Sequence, residues 1–213
     1  ILDGRMEISE VIGTDADLDG YSLVIAPTLY MVKPGVAQRL TTFTENGGTL
    51  VVSIYSGMAD ENENVTQKGY PGELRDLCGL WTEEFDSLPA GEYNHFTWND
   101  RQYQSELMFA ISHPENSRTL ATYESDFYKG MPVLSVNQTG KGKTYYFGTR
   151  SETSFYHDFM KQLCIEQGIL HEITDDFWIV GSVFFHLVFQ QSGVDFRILA
   201  HLNAVPVIFA GNG

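Results

Sequence analysis

The residues best placed for chemistry in this chain of 213 residues lie at positions 50–65, in the stretch LVVSIYSGMADENENV. An apolar segment is followed there by a Ser/Gly turn and then by a cluster of acids and amides. Enzymes with α/β folds keep nucleophiles and metal ions in turns of this kind, because the carboxyl ends of parallel strands gather them at one edge. Two kinds of chemistry are therefore considered, nucleophilic catalysis and metal binding.

A nucleophile elbow holds its reactive residue at the tip of a tight turn, with a glycine two residues to either side. In the stretch SIYSG at 53–57, the tip is Tyr55, and Ser53 replaces the first glycine. A phenol with a pKa of about 10 is a poor nucleophile for acyl transfer. The six histidines are dispersed, at positions 95, 113, 157, 171, 186 and 201. We therefore predict no catalytic residue at this turn.

The acids that follow the turn could bind a hard cation. Asp60, Glu61 and Glu63, with Asn62 and Asn64, all offer oxygen ligands. Carboxylates this close together in an exposed loop more often form a solvated surface or an interface. The interface interpretation is the one that we favour.

Two other patterns suggest metal sites and are weaker. DADLDG at 15–20 matches the first half of a calcium loop, but the twelfth position is Ala26, inside an apolar segment, where a bidentate Glu is required. The pattern is better explained as an Asp/Gly turn. His186 and His201 lie on neighbouring predicted strands but lack a third ligand for zinc. We predict no metal and no cofactor.

Composition excludes several classes of partner. The net charge is −15, with 13 basic residues against 28 acidic ones, so binding to a phosphate backbone and hence to nucleic acid is disfavoured. No apolar run reaches the ~18 residues of a membrane span, and no signal peptide opens the chain. Cys78 and Cys164 both lie in apolar segments, which favours buried free thiols and a reducing compartment.

An aromatic group, Tyr93, Phe96 and Trp98, alternates with polar residues in the stretch 93–98. Such a stripe could form a platform on which a sugar stacks. Aromatic stripes of this spacing are more often part of a core or of a subunit contact. We favour the second interpretation.

Hydrophobic periodicity predicts a βαβ unit in the first part of the chain. The apolar run at 21–26 is typical of a strand buried on both faces. Pro34 supplies the first position of a helix that ends at Gly47 and Gly48, and a strand follows at 49–55. Two strands joined in this way form a parallel pair with a right-handed crossover.

Further elements follow the same rules. Residues 71–77 and 152–167 are predicted helices, and Gly168 closes the second of them. Residues 81–100 show no clear period. The predicted strands lie at 6–12, 102–111, 119–123, 131–136, 143–147, 183–189, 195–202 and 205–209. The last three have no helix among them, which indicates a second unit made only of strands.

Four blocks of sequence resemble a known family, the middle domain of the bacterial β-galactosidases of glycoside hydrolase family 42. They are DADLDGYSLVIAPTLYMV, ENGGTLVVSIYSGMADENENV, GYPGELRDLCGLWTEEFDSLP and GKGKTYYFGTRSETSFYHDFMKQLCIEQGI. They occur in the family's order and cover most of residues 14–170. The segment SVFFHLVFQQSGVDFRILAHLNAVPV resembles, more loosely, the start of the small C-terminal β domain of the same enzymes.

The resemblance implies an α/β, flavodoxin-like fold with a mainly parallel sheet flanked by helices, related to class I glutamine amidotransferases. The catalytic cysteine of the amidotransferases is lacking, which agrees with Tyr55 at the tip. In the family this domain mediates assembly of homotrimers. The two catalytic glutamates of the retaining mechanism lie in a (β/α)8 barrel that precedes it, so no catalytic residue is transferred to this chain.

We therefore expect residues 1–170 to be a trimerisation domain that lacks its first strand, and 171–213 to be the truncated start of the β domain. The chain is then a fragment of a cytoplasmic β-galactosidase, which cleaves terminal β-D-galactosyl residues with retention. We expect Asp60, Glu61 and Asn62 to contact a neighbouring subunit or the rim of the barrel's active site. Two rival interpretations stay open, an active amidotransferase-like hydrolase and a carbohydrate-binding module.

Overall fold

The computed structural model of the protein describes residues 10–67, 69–168 and 207–211. The strands are β1 (Glu10–Gly13), β2 (Leu23–Ala26), β3 (Thr49–Ser53), β4 (Leu80–Ser87), β5 (Tyr93–Trp98), β6 (Arg101–Pro114), β7 (Arg118–Thr122), β8 (Pro132–Thr139), β9 (Gly142–Phe147), β10 (Thr149–Ser151) and β11 (Val207–Gly211). The α-helices are α1 (Val36–Glu45), α2 (Arg75–Cys78) and α3 (Thr153–Glu166), and a 3-10 turn (Gly72–Leu74) precedes α2.

Among the described residues, the main sheet has seven strands in the order β1-β11-β2-β3-β9-β8-β7. The pairs β2–β3 and β3–β9 are parallel, whereas β1–β11, β11–β2, β9–β8 and β8–β7 are antiparallel. The class is α/β with mixed sheets, and the prediction of a mainly parallel sheet is wrong in the described part of the chain. Parallel pairing needs a crossover, which α1 supplies between β2 and β3, but β8 and β9 form a tight hairpin that reverses direction.

The central strands are buried on both faces, as the continuous apolar run at 21–26 predicts. Leu23 and Ile25 of β2 lie in one core, and Val24 and Ala26 lie in a second core on the opposite face. The residues of β3 alternate between the same two cores. The sheet therefore separates two cores, one beneath α1 and α2 and the other beneath α3.

The core beneath α3 is built from aromatic rings. Phe155 stacks on Phe147 with 4.6 Å between ring centroids and meets Phe96 edge to face at 5.1 Å. Phe155, Phe159 and Leu163 are all buried, at the spacing that predicts this helix. Residues 152–167 are thus correctly predicted, with one residue of difference at each end.

A second sheet, with four strands in the described part of the chain, covers this aromatic core. Its order is β10-β6-β4, and β5 pairs with the long strand β6. Two of these strands, β4 and β5, occupy most of the segment 81–100, in which hydrophobic residues show no clear period. The burial of β4 explains the omission, because buried and exposed residues do not alternate along it.

Two helix predictions need correction, one in its start and one in its continuity. Helix α1 begins at Val36 after Gly35, which has a φ of 84°, so Pro34 precedes the helix and does not open it. Its predicted end at Gly47 agrees with the structure. Residues 71–77 form the 3-10 turn and the single turn of α2, not one continuous helix.

Several predictions concern residues outside the described ranges. The strands at 183–189 and 195–202, and the pair His186 and His201, are among them. At the end of the chain, the predicted strand at 205–209 overlaps β11. Across the described residues, no helix is both long enough and apolar enough to cross a membrane.

Candidate functional site

The turn after β3 has the backbone of an elbow. Tyr55 lies just beyond the strand with a φ of 63°, in the left-handed region that non-glycine residues rarely adopt, and Gly57 follows with a φ of 65°. The backbone N–H of Ser56 donates to the carbonyl of Ser53 at 3.3 Å. The strained turn predicted at 53–57 is therefore present, with a tyrosine at its tip.

The serines beside the tip are used as acceptors. Ser53 Oγ accepts the backbone N–H of Thr28 at 2.8 Å, and Ser56 Oγ accepts that of Leu29 at 3.0 Å. Both serines are buried, with 3% and 1% of their surface exposed. They hold the segment after β2 against the elbow and are not placed to attack a substrate.

The phenol at the tip is packed and keeps its proton. The ring of Tyr55 lies against Phe85 with 4.7 Å between centroids, and burial raises the pKa of the phenol. His113 pairs instead with Glu83, at 2.9 Å. A phenol that keeps its proton does not act as a nucleophile near neutral pH, so the elbow does not favour the interpretation as an active hydrolase.

The acidic loop beyond the elbow is a small folded unit. Ala59 bridges to Val65 in antiparallel fashion, and Asp60 closes the loop between them. The Asp60 carboxylate accepts the side-chain N–H of Asn64 at 3.0 Å, the backbone N–H of Asn64 at 2.9 Å and that of Asn62 at 2.8 Å. These hydrogen bonds, that from the Asn64 side chain first, lower the pKa of Asp60.

This geometry divides the three residues predicted to form an interface or rim. Asp60 and the backbone of Asn62 organise the loop itself, whereas the side chain of Glu61 is exposed at its tip. Within the described ranges, no three His, Cys, Asp or Glu side chains are close enough to hold a metal ion. The loop thus presents Glu61 on a rigid base.

The loop is tied to the sheet by backbone contacts. Gly57 N–H donates to Leu29 at 2.9 Å, and Val32 N–H donates to Ala59 at 2.9 Å. Gly57 is also in close contact with the chain at Pro71, because a Cβ atom at Gly57 would lie 1.8 Å from the Pro71 carbonyl oxygen. Only glycine fits at this crossing.

Beside the loop lies a recess of about 470 Å³, lined by Val32, Ala59, Val65, Thr66 and Glu73 among others. Val65 is 60% exposed, and Tyr30, which precedes the bridge of Met31 to Ala59, is 36% exposed. Hydrophobic periodicity does not single out these apolar residues. The signal was present, since Val65 is the one apolar residue that ends a run of acids and amides. The edge of the sheet therefore combines apolar surface with carboxylates.

The aromatic stripe at 93–98 does not form a sugar platform. Phe96 and Trp98 are buried, with 0% and 6% of their surface exposed, whereas Tyr93 is 45% exposed. Tyr93 differs from the other two by an odd number of residues along β5, so it projects from the opposite face. The interpretation of Phe96 and Trp98 as core residues is correct.

Solved structures with the same fold define the class, a domain that occurs in β-galactosidases. The crystal structure of the β-galactosidase from Bacillus circulans sp. alkalophilus matches with a TM-score of 0.71 and 40% identity, over 73% of this chain and 24% of that chain. Gan42B, a GH42 β-galactosidase, matches with a TM-score of 0.70 and 34% identity, over 75% of this chain and 23% of that chain.

The chain belongs to the family of β-galactosidase trimerisation domains, which its residues 7–170 match. The β-galactosidase BgaP of Planococcus sp. (strain L4) is 43% identical over 166 residues, which is 75% of this chain and 25% of that protein. The resemblance to family 42 is thereby confirmed. The chain spans about a quarter of the length of the relatives that it matches.

Proposed function

We propose that this chain is the self-association unit of a homotrimeric, cytoplasmic β-galactosidase. The match of residues 7–170 to the trimerisation family is the observation that supports this proposal. The intact protein hydrolyses terminal β-D-galactosyl residues with retention, through a barrel domain that carries both catalytic glutamates and binds the substrate. Residues 1–170 form the trimerisation domain, with a flavodoxin-like ancestry, and 171–213 begin a C-terminal β domain, whose segment 207–211 pairs with β1 and β2 of the trimerisation domain.

Within this function, the acidic loop contacts a neighbouring subunit or the rim of the barrel's active site. Asp60 and Asn62 shape the loop, and Glu61 is the side chain that reaches the contact. Three features support this role: the loop is folded on itself, it is tied to the sheet, and it is bordered by the exposed Val65. Rigid surfaces of this kind lose little entropy on association.

The experiment is a measurement of mass in solution by sedimentation and by light scattering. We expect the chain, whose monomer mass is 24.0 kDa, to form trimers as its concentration rises. The change Glu61→Lys is expected to weaken the trimer about tenfold or more. A positive charge then replaces the carboxylate at the subunit contact, where the partner surface fits a negative one. Glu92→Lys, the same change in an exposed turn between β4 and β5, is the matched control and is expected to leave the mass unchanged.

Two outcomes would count against this function. A chain that stays monomeric at every concentration contradicts self-association itself. A Glu61→Lys chain that forms trimers like the original chain contradicts a subunit contact at the loop. Enzyme kinetics of the intact protein then test whether the loop lies at the rim of the active site. If it does, Glu61→Lys is expected to raise KM for a β-galactoside.

A further inference from the structure

Phe127 is the most conspicuous apolar side chain on the described surface. It is 69% exposed, more than Val65 at 60%, Ile165 at 52% and Tyr93 at 45%. It lies in the connection from β7 to β8, within the sequence ESDFYKG. A phenylalanine exposed to this degree lowers solubility unless something covers it, and such residues mark binding surfaces when other features agree.

The connection that carries Phe127 is fixed by a buried asparagine. Asn94 of β5 is 1% exposed, and its side-chain oxygen accepts the backbone N–H groups of Ser125 at 3.2 Å and Glu124 at 3.3 Å. Its side-chain nitrogen donates to the carbonyl of Ser125 at 2.9 Å. Three hydrogen bonds from one buried side chain hold the start of the connection in place.

The conformation of the turn at Asp126 and Phe127 is fixed by local hydrogen bonds. Asp126 has a φ of 70°, and its carboxylate accepts the backbone N–H of Phe127 at 2.7 Å. Lys129 N–H donates to the carbonyl of Asp126 at 3.1 Å. The Phe127 ring meets the edge of Tyr128 with 5.0 Å between centroids, and Tyr128 is 1% exposed. The exposed ring therefore stands on a rigid, buried base.

A rigid base matters for binding because the ordering cost of the loop is already met in the free chain. Anchors of protein interfaces are typically aromatic side chains of this kind, which enter a pocket on the partner. A strained backbone that presents an apolar ring to water stabilises neither the core nor the loop. The geometry is that of a contact residue.

We propose that Phe127 of one copy of this chain enters the recess beside Val65 of the next copy. This inference rests on the proposed function, because it takes self-association as given. A closed ring of three copies needs two different surfaces on each subunit, one that projects and one that receives. Phe127 is the projecting surface, and the recess is the receiving one. Val65 is the exposed apolar residue of its lining, Val32 and Ala59 are buried in its wall, and polar residues complete it.

One charge favours this pairing. Lys129 is exposed two residues after Phe127, and the receiving recess is bordered by the carboxylates of Asp60 and Glu73. The exposed carboxylate of Asp126, beside Phe127, opposes the pairing, so apolar burial has to outweigh it. Elsewhere two copies of charge −15 repel each other, so the contact depends on apolar burial with a local opposite pair. A nucleic acid or an acidic peptide would meet the same repulsion with no recess to offer.

The test is a double-mutant cycle on the association constant of the 213-residue chain, measured by sedimentation. Phe127→Ala and Val65→Ala are each expected to weaken association about tenfold or more. The fold-loss of association in the double variant is expected to be much smaller than the product of the two single fold-losses. The reason is that the two side chains contact each other, so the second change removes little that the first has left. Ile165→Ala, which also removes an exposed apolar side chain, is the control and is expected to have no effect.

A second readout identifies what covers the ring. In a Phe127→Trp chain, we expect the tryptophan emission to shift to the blue as concentration rises, because the indole becomes buried only on association. If the original chain associates and Phe127→Ala leaves the association constant unchanged, this contact is overturned and the proposed function stands. A blue-shifted emission that is independent of concentration would show that the chain covers the ring itself, and would also overturn the contact. A wild-type chain that is always monomeric would overturn both proposals.

Discussion

Asp60 shows how an acidic residue in a loop can be structural. Its carboxylate accepts three N–H groups of Asn62 and Asn64, so the residue that looked available for a cation or a partner holds the loop closed. Tyr55 is also structural, since the tip of the turn, where a nucleophile would lie, carries a packed phenol. The sequence alone indicated that Tyr55 could not be reactive, because a phenol with a pKa of about 10 is a poor nucleophile. It did not separate Asp60 from Glu61, because hydrogen-bond geometry in a short loop is not readable from spacing.

The lowered pKa of Asp60 predicts how its loop responds to acid. A carboxyl group whose pKa is lower in the folded state stabilises that state above its ordinary pKa of about 3.9, and the stabilisation is lost as the pH falls through the lower folded value. We expect the amide signals of Asn62 and Asn64 in NMR spectra to change together, with a midpoint below about 3.9. A midpoint at or above that value would contradict the hydrogen bonds described here.

At the scale of elements, hydrophobic period identified β2, α1, β3 and α3 well, because each buries a regular set of residues. It failed for β4 and β5, where the strands cover an aromatic core with only part of each face. The mixed sheet was also not predicted, because strand direction depends on pairings between distant segments. The crossing of Gly57 over Pro71 belongs to the same group, since no local pattern encodes a contact between two loops.

The crossing at Gly57 can be tested by adding one carbon atom. Gly57→Ala places a Cβ atom 1.8 Å from the Pro71 carbonyl oxygen, so we expect the free energy of unfolding to fall by about 3 kcal/mol or more. Gly91 is the matched control, because its φ of 90° is also positive but a Cβ atom there meets nothing within 4 Å. Gly91→Ala is expected to cost about 1 kcal/mol. Equal losses in urea denaturation would show that the crossing is not tight.

The last turn of α2 depends on a side chain from β8. Asn137 is buried, and its side-chain nitrogen donates to the carbonyls of Asp76 at 3.0 Å and Leu77 at 3.1 Å. Asn137→Leu leaves both carbonyls without this donor, and we expect a loss of about 1–3 kcal/mol in the free energy of unfolding. Asn116→Leu, the same change at an exposed asparagine, is the control in thermal denaturation. If both variants melt at the same temperature, the hydrogen bonds from Asn137 make no measurable contribution to stability.

At the scale of the whole molecule, the charge of −15 opposes any contact between copies. Self-association of such a chain requires apolar surface, which the structure offers at Val65 and Phe127. The sequence predicted the family, because four ordered blocks carry the resemblance, and the proposed assembly follows from the family. It could not predict which surfaces meet, since exposure depends on the complete fold.

The same charge predicts the effect of salt on assembly. Screening shortens the reach of charge from about 10 Å at 0.1 M salt to about 3 Å at 1 M, so the repulsion between copies falls. The local attraction of Lys129 is screened as well, but it is one charge against a large excess of acids. We expect the association constant to rise several-fold between low and high salt in sedimentation experiments. A fall would indicate that opposite charges, and not apolar burial, dominate the contact.

The position of β11 ties the two ends of the described chain together. Residues 207–211 lie between β1 and β2, and they pair antiparallel with both. During synthesis on a ribosome, β2 is finished long before its neighbour emerges from the exit tunnel, so one edge of a strand buried on both faces waits without hydrogen-bond partners. That open edge is a template for pairing with another nascent chain.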